Sequence, residues 1–173
     1  MQLVRCTQKL QKEMGLKKAN LIAQEPDEAT LGSWHANLLF IKRRKCVLFV
    51  NDKTLFNFII PDLKRERIRQ LDTLFGNLLQ CVLAEEGFDE SLRDRIMREY
   101  ENIGYAATNN RIVMGSMNDL AFHYQIQIEM EGGVHSPMIP QIIHKLNRMS
   151  MKALDYDYPI VALYQLYGLQ RKR

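Results

Sequence analysis

Residues 34–61 read WHANLLFIKRRKCVLFVNDKTLFNFIIP. The stretch divides into WHANLLFIK, a basic turn RRK, CVLFVN, a second turn DK, and TLFNFIIP. Runs of β-branched and aromatic residues broken by short polar connections are the mark of an antiparallel meander. In the first run, strand alternation puts Trp34, Ala36, Leu38 and Phe40 on one face and His35, Asn37, Leu39 and Ile41 on the other. Both faces are largely apolar by the far end. Residues 46–50 are apolar throughout, and residues 54–60 carry large groups on both sides, so helices should pack on at least one face of this sheet.

Towards the N-terminus, Gln2–Cys6 predicts a short strand, the fourth member of the sheet, with its pairing sense left open. Thr7 is placed to cap a brief helix through Met14, closed by Gly15. Residues 17–32 show no clear period and read as a connection.

Beyond Pro61, the spacing of Ile68, Leu71, Phe75, Leu78, Leu79 and Val82 predicts one long helix from about residue 62 to 86. Gly87 ends it. Asp89 can cap a second helix to about residue 102, with Leu92, Ile96 and Tyr100 on one stripe and Gly104 closing it. A third helix starts at Asn110, because Val113, Met117, Leu120, Ala121, Tyr124 and Ile128 share a face, and Gly132-Gly133 stops it. Residues 141–154 have weaker helical spacing. Pro159 opens a last helix that buries Ile160, Leu163, Tyr164 and Tyr167 before Gly168. The expected fold is α+β: a mainly antiparallel sheet of three or four strands, with its meander at 34–60, packed against several helices. It forms a single domain over residues 1–173.

At 173 residues and 46% hydrophobic content the chain can bury one ordinary core, and two domains would be cramped. No apolar run is long enough to cross a bilayer, and MQLVRCTQKL is too polar for a signal peptide. Cys6, Cys46 and Cys81 lie far apart with no ligand spacing between them, which points away from a disulfide framework and from zinc. The expected setting is a reducing cytoplasm, with no membrane, metal or cofactor, and oligomeric state is open.

The 24 Lys and Arg against 20 Asp and Glu give a net +4 and a pI near 9.0, a modest excess that decides nothing alone. Its distribution says more. Residues 42–45 are all basic, Lys64, Arg65, Arg67 and Arg69 follow, and the chain ends Arg171, Lys172, Arg173. Glu85 and Glu86 close the long helix, so its charges oppose the macrodipole at a cost of tenths of a kcal/mol per exposed charge. A local rule broken without visible compensation marks a place to look for a partner.

Chemistry has few signposts. GxxxxGK[ST], GxGxxG after a strand, HExxH, GxSxG and metal-spaced Cys/His sets are all missing from the sequence. The four histidines are scattered. One polar set stands out, Arg111, Ser116, Asn118 and Asp119 within NNRIVMGSMNDL. There Gly115 leaves room beside Arg111 and Asn118, either for a ligand or for hydrogen bonds to the meander.

Three functional readings follow. The first is a non-enzymatic binding module for nucleic acid, DNA or RNA, in which Arg43, Arg44, Arg65 and Arg67 contact phosphates. The 42–45 turn and the start of the long helix fall near the same end of the sheet. The same turn could equally be a solvated hairpin that guards a sheet edge. Trp34 would stack on bases only if exposed, and it is expected in the core. The second reading is an enzyme acting on a phosphorylated or nucleotide-like substrate. There His35 is general acid or base, Arg111 clamps the anion and Asp119 completes the site. The third is a protein-interaction domain with an apolar patch near Tyr164 and Tyr167.

LVRCTQKLQKEM, SWHANLLFIKRRKCVLFVNDKTLFNFIIP, NRIVMGSMNDL and LNRMSMKALDYDYPIVAL together resemble an uncharacterised bacterial domain family. That family is found alone or ahead of a plasmid open-reading-frame-type domain. The sharpest parts are Trp34-His35-Ala36-Asn37 and residues 111–119. The resemblance implies a link to mobile elements and brings no activity, cofactor or catalytic set. If the two sharp motifs meet, His35 and Asn37 against Arg111 and Asn118, they make one buried polar network or one site.

Overall fold

Gln2–Cys6 (β1) lies next to the centre of the sheet, buried along its whole length. The computed structural model describes residues 1–170, so the basic tail at 171–173 lies outside the described residues. After β1, Thr7 caps Gln8–Met14 (α1) through its side chain, and Gly15 closes the helix in the left-handed conformation at φ 72°. Trp34–Ile41 (β2), Arg44–Asn51 (β3) and Asn57–Ile60 (β4) form the meander. Then come Arg65–Ile68 (α2), Leu71–Glu85 (α3), Glu90–Arg98 (α4), Ile103–Ala107 (β5), Arg111–Met130 (α5), Ile139–Leu146 (α6) and Pro159–Leu166 (α7).

The fold is α+β, but the expectation of a mainly antiparallel sheet of three or four strands is overturned. The sheet is mixed and five-stranded, in the order β4-β3-β2-β1-β5. β1 runs parallel to both β2 and β5, while β2–β3 and β3–β4 are antiparallel. The physical reason lies in the connections. Strands joined by tight turns must pair antiparallel, whereas the long segment from Cys6 to Trp34, which carries α1, lets the chain return and enter β2 in the same direction.

Two helix expectations also change. The helix read over 62–86 is two helices, α2 and α3, broken at Gln70, which sits at φ −106° and ψ 32°. The helix read to residue 102 stops at Arg98, and β5 follows. Gly104, taken as a helix stop, is inside β5. A Cβ there would lie 2.2 Å from Ile22 Cδ1 and 3.2 Å from Leu3 Cδ2, so glycine permits a close approach of side chains.

Neighbouring residues on a strand face opposite ways, and β4 shows both layers. Phe58 meets Phe75 of α3, with ring centroids 5.7 Å apart. Asn57 accepts a hydrogen bond from the Tyr124 hydroxyl of α5 at 2.7 Å. Helices therefore cover both faces. Trp34 is fully buried, 5.3 Å from the rings of both Phe58 and Phe75. Its indole N–H donates to Tyr100 Oη at 2.9 Å, and the Tyr100 hydroxyl donates to the Gly32 carbonyl at 2.6 Å. Among the described residues, no helix is long and apolar enough to cross a membrane.

Candidate functional site

The basic residues converge at one end of the sheet. The β2–β3 hairpin turns through Lys42 and Arg43, at φ 45° and 67°. Both central residues are thus left-handed, as a type I′ hairpin requires, and Asn or Gly normally fill such positions. Asp62 is a third non-glycine residue of this kind at φ 53°. The Leu63 N–H donates to the Lys45 carbonyl at 2.8 Å and ties the start of the α2 region to the hairpin. Arg43, Arg44, Lys45, Lys64 and Arg65 line one open groove of about 340 Å³.

Not all of this charge is free. Arg44 Nε is 3.0 Å from Asp62 Oδ1, and Lys45 pairs with Glu13. Lys42, Arg43, Lys64, Arg65 and Arg67 are exposed and form no ion pair among the described residues. α2 has four residues and contributes no helix-end anion site of its own.

The residues of the second reading are placed apart. His35 is fully buried, with Nδ1 2.7 Å from Asp52 Oδ1. Arg111, Asn118 and Asp119 are exposed on α5, and no hydrogen bond or ion pair joins them to His35 among the described residues. Asn37 instead accepts from the Thr7 hydroxyl at 2.9 Å. Trp34, fully buried, presents no face for stacking.

Tyr164 and Tyr167 are half-buried and pack on Phe88, with centroids at 5.6 and 6.0 Å. Several large apolar groups are exposed on α5, where Phe122, Ile126 and Met130 are 62%, 39% and 79% exposed. Four-residue spacing puts these three on one stripe.

Sequence reasoning passed over Arg5 and Asp52. Arg5 sits beside His35 across the β1–β2 pair, and its Nε is 3.9 Å from Asp52 Oδ2. One signal was available: an arginine inside QLVRC, a run otherwise suited to a buried strand, needs a partner or a purpose. Among the described residues, no group of three or more His, Cys, Asp or Glu side chains is arranged to hold a metal ion.

No curated protein and no solved structure matches the chain. A family model described as Domain of unknown function (DUF6933) matches residues 3–162. That span takes in β1 from its second residue, β2 to β5 and α1 to α6 in full, so the sheet, the basic end and the Arg5–Asp52 cluster are features of the matched region, and the chain belongs to this family.

Proposed function

We propose that this protein is a non-enzymatic binding module whose basic end takes the phosphate backbone of a nucleic acid. One observation carries the reading: Lys42 and Arg43 occupy left-handed turn positions beside the unpaired cations Lys64, Arg65 and Arg67. A side chain with a Cβ pays for that conformation by about 1–2 kcal/mol per residue. Non-glycine residues held there cluster at functional sites. Long cations on a tip that would fold better with Asn-Gly therefore point to a role in contact rather than in folding. The reading places the whole chain, residues 1–173, as one domain in a bacterial cytoplasm, acting on the nucleic acid of plasmids or other mobile elements, as the resemblance of its quoted stretches implies.

A short labelled duplex and a single strand, titrated at several salt concentrations, test this. Log K should fall linearly with log salt, and Arg43→Ala, Arg65→Ala and Arg67→Ala should each reduce the slope by about one unit. Sequence preference should be weak, because these side chains reach phosphates and not base edges. Binding undetectable at low salt, or indifferent to all three substitutions, would remove the reading and leave a solvated hairpin. An alternative, a protein-interaction domain, is favoured by the Phe122, Ile126 and Met130 stripe on α5 rather than by Tyr164 and Tyr167. A domain of that kind gives no salt-dependent binding in the same titration.

A further inference from the structure

A second site lies at the other end of the sheet, where Ser33 precedes β2 and Asp52 follows β3. Gln2, Arg5 and Ser33 are 2%, 9% and 7% exposed. Each holds a buried polar atom with no hydrogen-bond partner: Gln2 Oε1, Arg5 Nε and Ser33 Oγ. All three residues line one open cleft of about 650 Å³. Buried polar atoms are nearly always paired, so three orphans just beneath the surface, on residues that wall one cleft, call for an occupant towards which they can turn.

The surrounding bonds fix these groups in place. Asp52 gives one carboxylate oxygen to His35 Nδ1 at 2.7 Å, and its other oxygen stays 3.9 Å from Arg5 Nε, in ion-pair range but not hydrogen-bonded. The Gln2 amide nitrogen donates to the Asp27 carbonyl at 2.9 Å, which leaves its oxygen as the free acceptor. Lys53 Nζ donates to the Ala29 and Thr30 carbonyls at 2.7 and 3.0 Å, holding the 25–33 loop as a wall and spending that cation on it.

Charge and shape then select the ligand class. Among the described residues, Arg5 is the one lining cation not already bonded to backbone, and the carboxylates of Asp52, Glu25, Asp27 and Glu28 share the cleft with it. No aromatic side chain among the described residues lines it, so a base or aromatic ring has nothing there to stack on. A deep guanidinium with carboxylates around it suits a small zwitterion. We propose that this cleft binds a free α-amino acid, with the Arg5 guanidinium and the Ser33 hydroxyl turning outward to take its carboxylate, and the Gln2 amide oxygen and the cleft carboxylates taking its ammonium.

The test is an amide-resolved NMR titration of the full chain with each common L-amino acid at fixed ionic strength. The best ligand is then compared with its N-acetyl and carboxamide forms. At least one free amino acid should give saturable shifts centred on the amides of Gln2, Ser33, Asp52 and Lys53. Blocking either end should weaken binding by about tenfold or more, as should Arg5→Gln. Three results overturn the proposal: no saturable shifts from any amino acid, shifts centred elsewhere, or blocked forms that bind as well as the free one. Undiminished binding by a folded Arg5→Gln chain overturns it too. Should Arg5→Gln fail to fold, the blocked ligands on the wild-type chain decide alone.

Discussion

Asn147 stands where a sixth strand would lie. Its Oδ1 accepts from the Asn57 backbone N–H at 2.9 Å, and its Nδ2 donates to the Asn57 carbonyl at 2.7 Å. One side chain thereby closes a repeat of the ladder on the open edge of β4. Asn57 and Asn147 are both fully buried, and the Tyr124 hydroxyl completes the network on Asn57 Oδ1. Asn147→Leu fills the volume but leaves a buried donor and a buried acceptor unpaired. Such groups cost about 1–3 kcal/mol each, so a loss of about 2–6 kcal/mol is expected. It should appear in urea denaturation as a lower midpoint with an unchanged slope. An unchanged midpoint would mean that the β4 edge finds other partners. Glu86 shows the same logic with charge. Read along its own helix it opposes the macrodipole, yet its carboxylate takes Arg148 on both oxygens, at 3.0 and 2.7 Å, with His144 Nδ1 at 3.2 Å. That hydrogen bonding holds the Arg148 guanidinium above its ordinary pKa. The compensation is intramolecular and lies 62 positions away, beyond the reach of local reading.

Among the elements, the β2–β3 hairpin sets stability against binding. Lys42→Asn with Arg43→Gly would put residues suited to positive φ at the two left-handed positions. Relief of strain, less the extra freedom glycine gives the unfolded chain, should stabilise the protein by about 1 kcal/mol. For a chain of this size that is about 2–4 °C in Tm. The same double substitution should lower the salt slope of nucleic-acid binding by up to about two units. Calorimetry and titration on one preparation check both signs. A lower Tm would show that the turn is unstrained and take away the reason for assigning it a function. The meander, α1, α5 and α7 were legible because each carries its own period, cap or stop. β5 was not. Its glycine reads as a helix stop, and only Ile22, Met1 and Leu3 packed against it reveal why a strand needs glycine there. The break between α2 and α3 was equally hidden, since the apolar period runs through Gln70 without a proline or glycine to mark it.

For the molecule as a whole, the missed features share a cause, which is distance along the chain. The sense of β1 depends on a 17–32 connection that has no period, so the sequence leaves it open, and parallel pairing with β2 and β5 makes the sheet mixed. The basic end was legible because turns alternate between sheet ends. The Arg5 cleft was not, because its walls come from β1, the 25–33 loop, the β3–β4 turn and the entry to α5. Dense burial in such a sheet also sets the response to alkali. Burial pushes the Cys6 thiol from 9.0 up to about 12, and it raises Cys46 and holds the Tyr100 and Tyr124 hydroxyls well above 10.0. In each case the folded state keeps a proton that the unfolded chain gives up. A raised folded pKa contributes stability that is complete below the unfolded value and is lost as pH climbs towards the folded one. Stability should therefore be level to about pH 8.5, then fall by about 1.4 kcal/mol per pH unit for each thiol, with the two phenols adding their share above about pH 10. Thermal unfolding followed through Trp34 fluorescence, from about pH 7 to 11 at constant ionic strength, reads this directly. Cys6→Ala should make the alkaline limb shallower by one proton's share. A midpoint that stays flat to pH 11 would mean that these thiols and phenols reach water in the folded protein, contrary to their burial against the sheet.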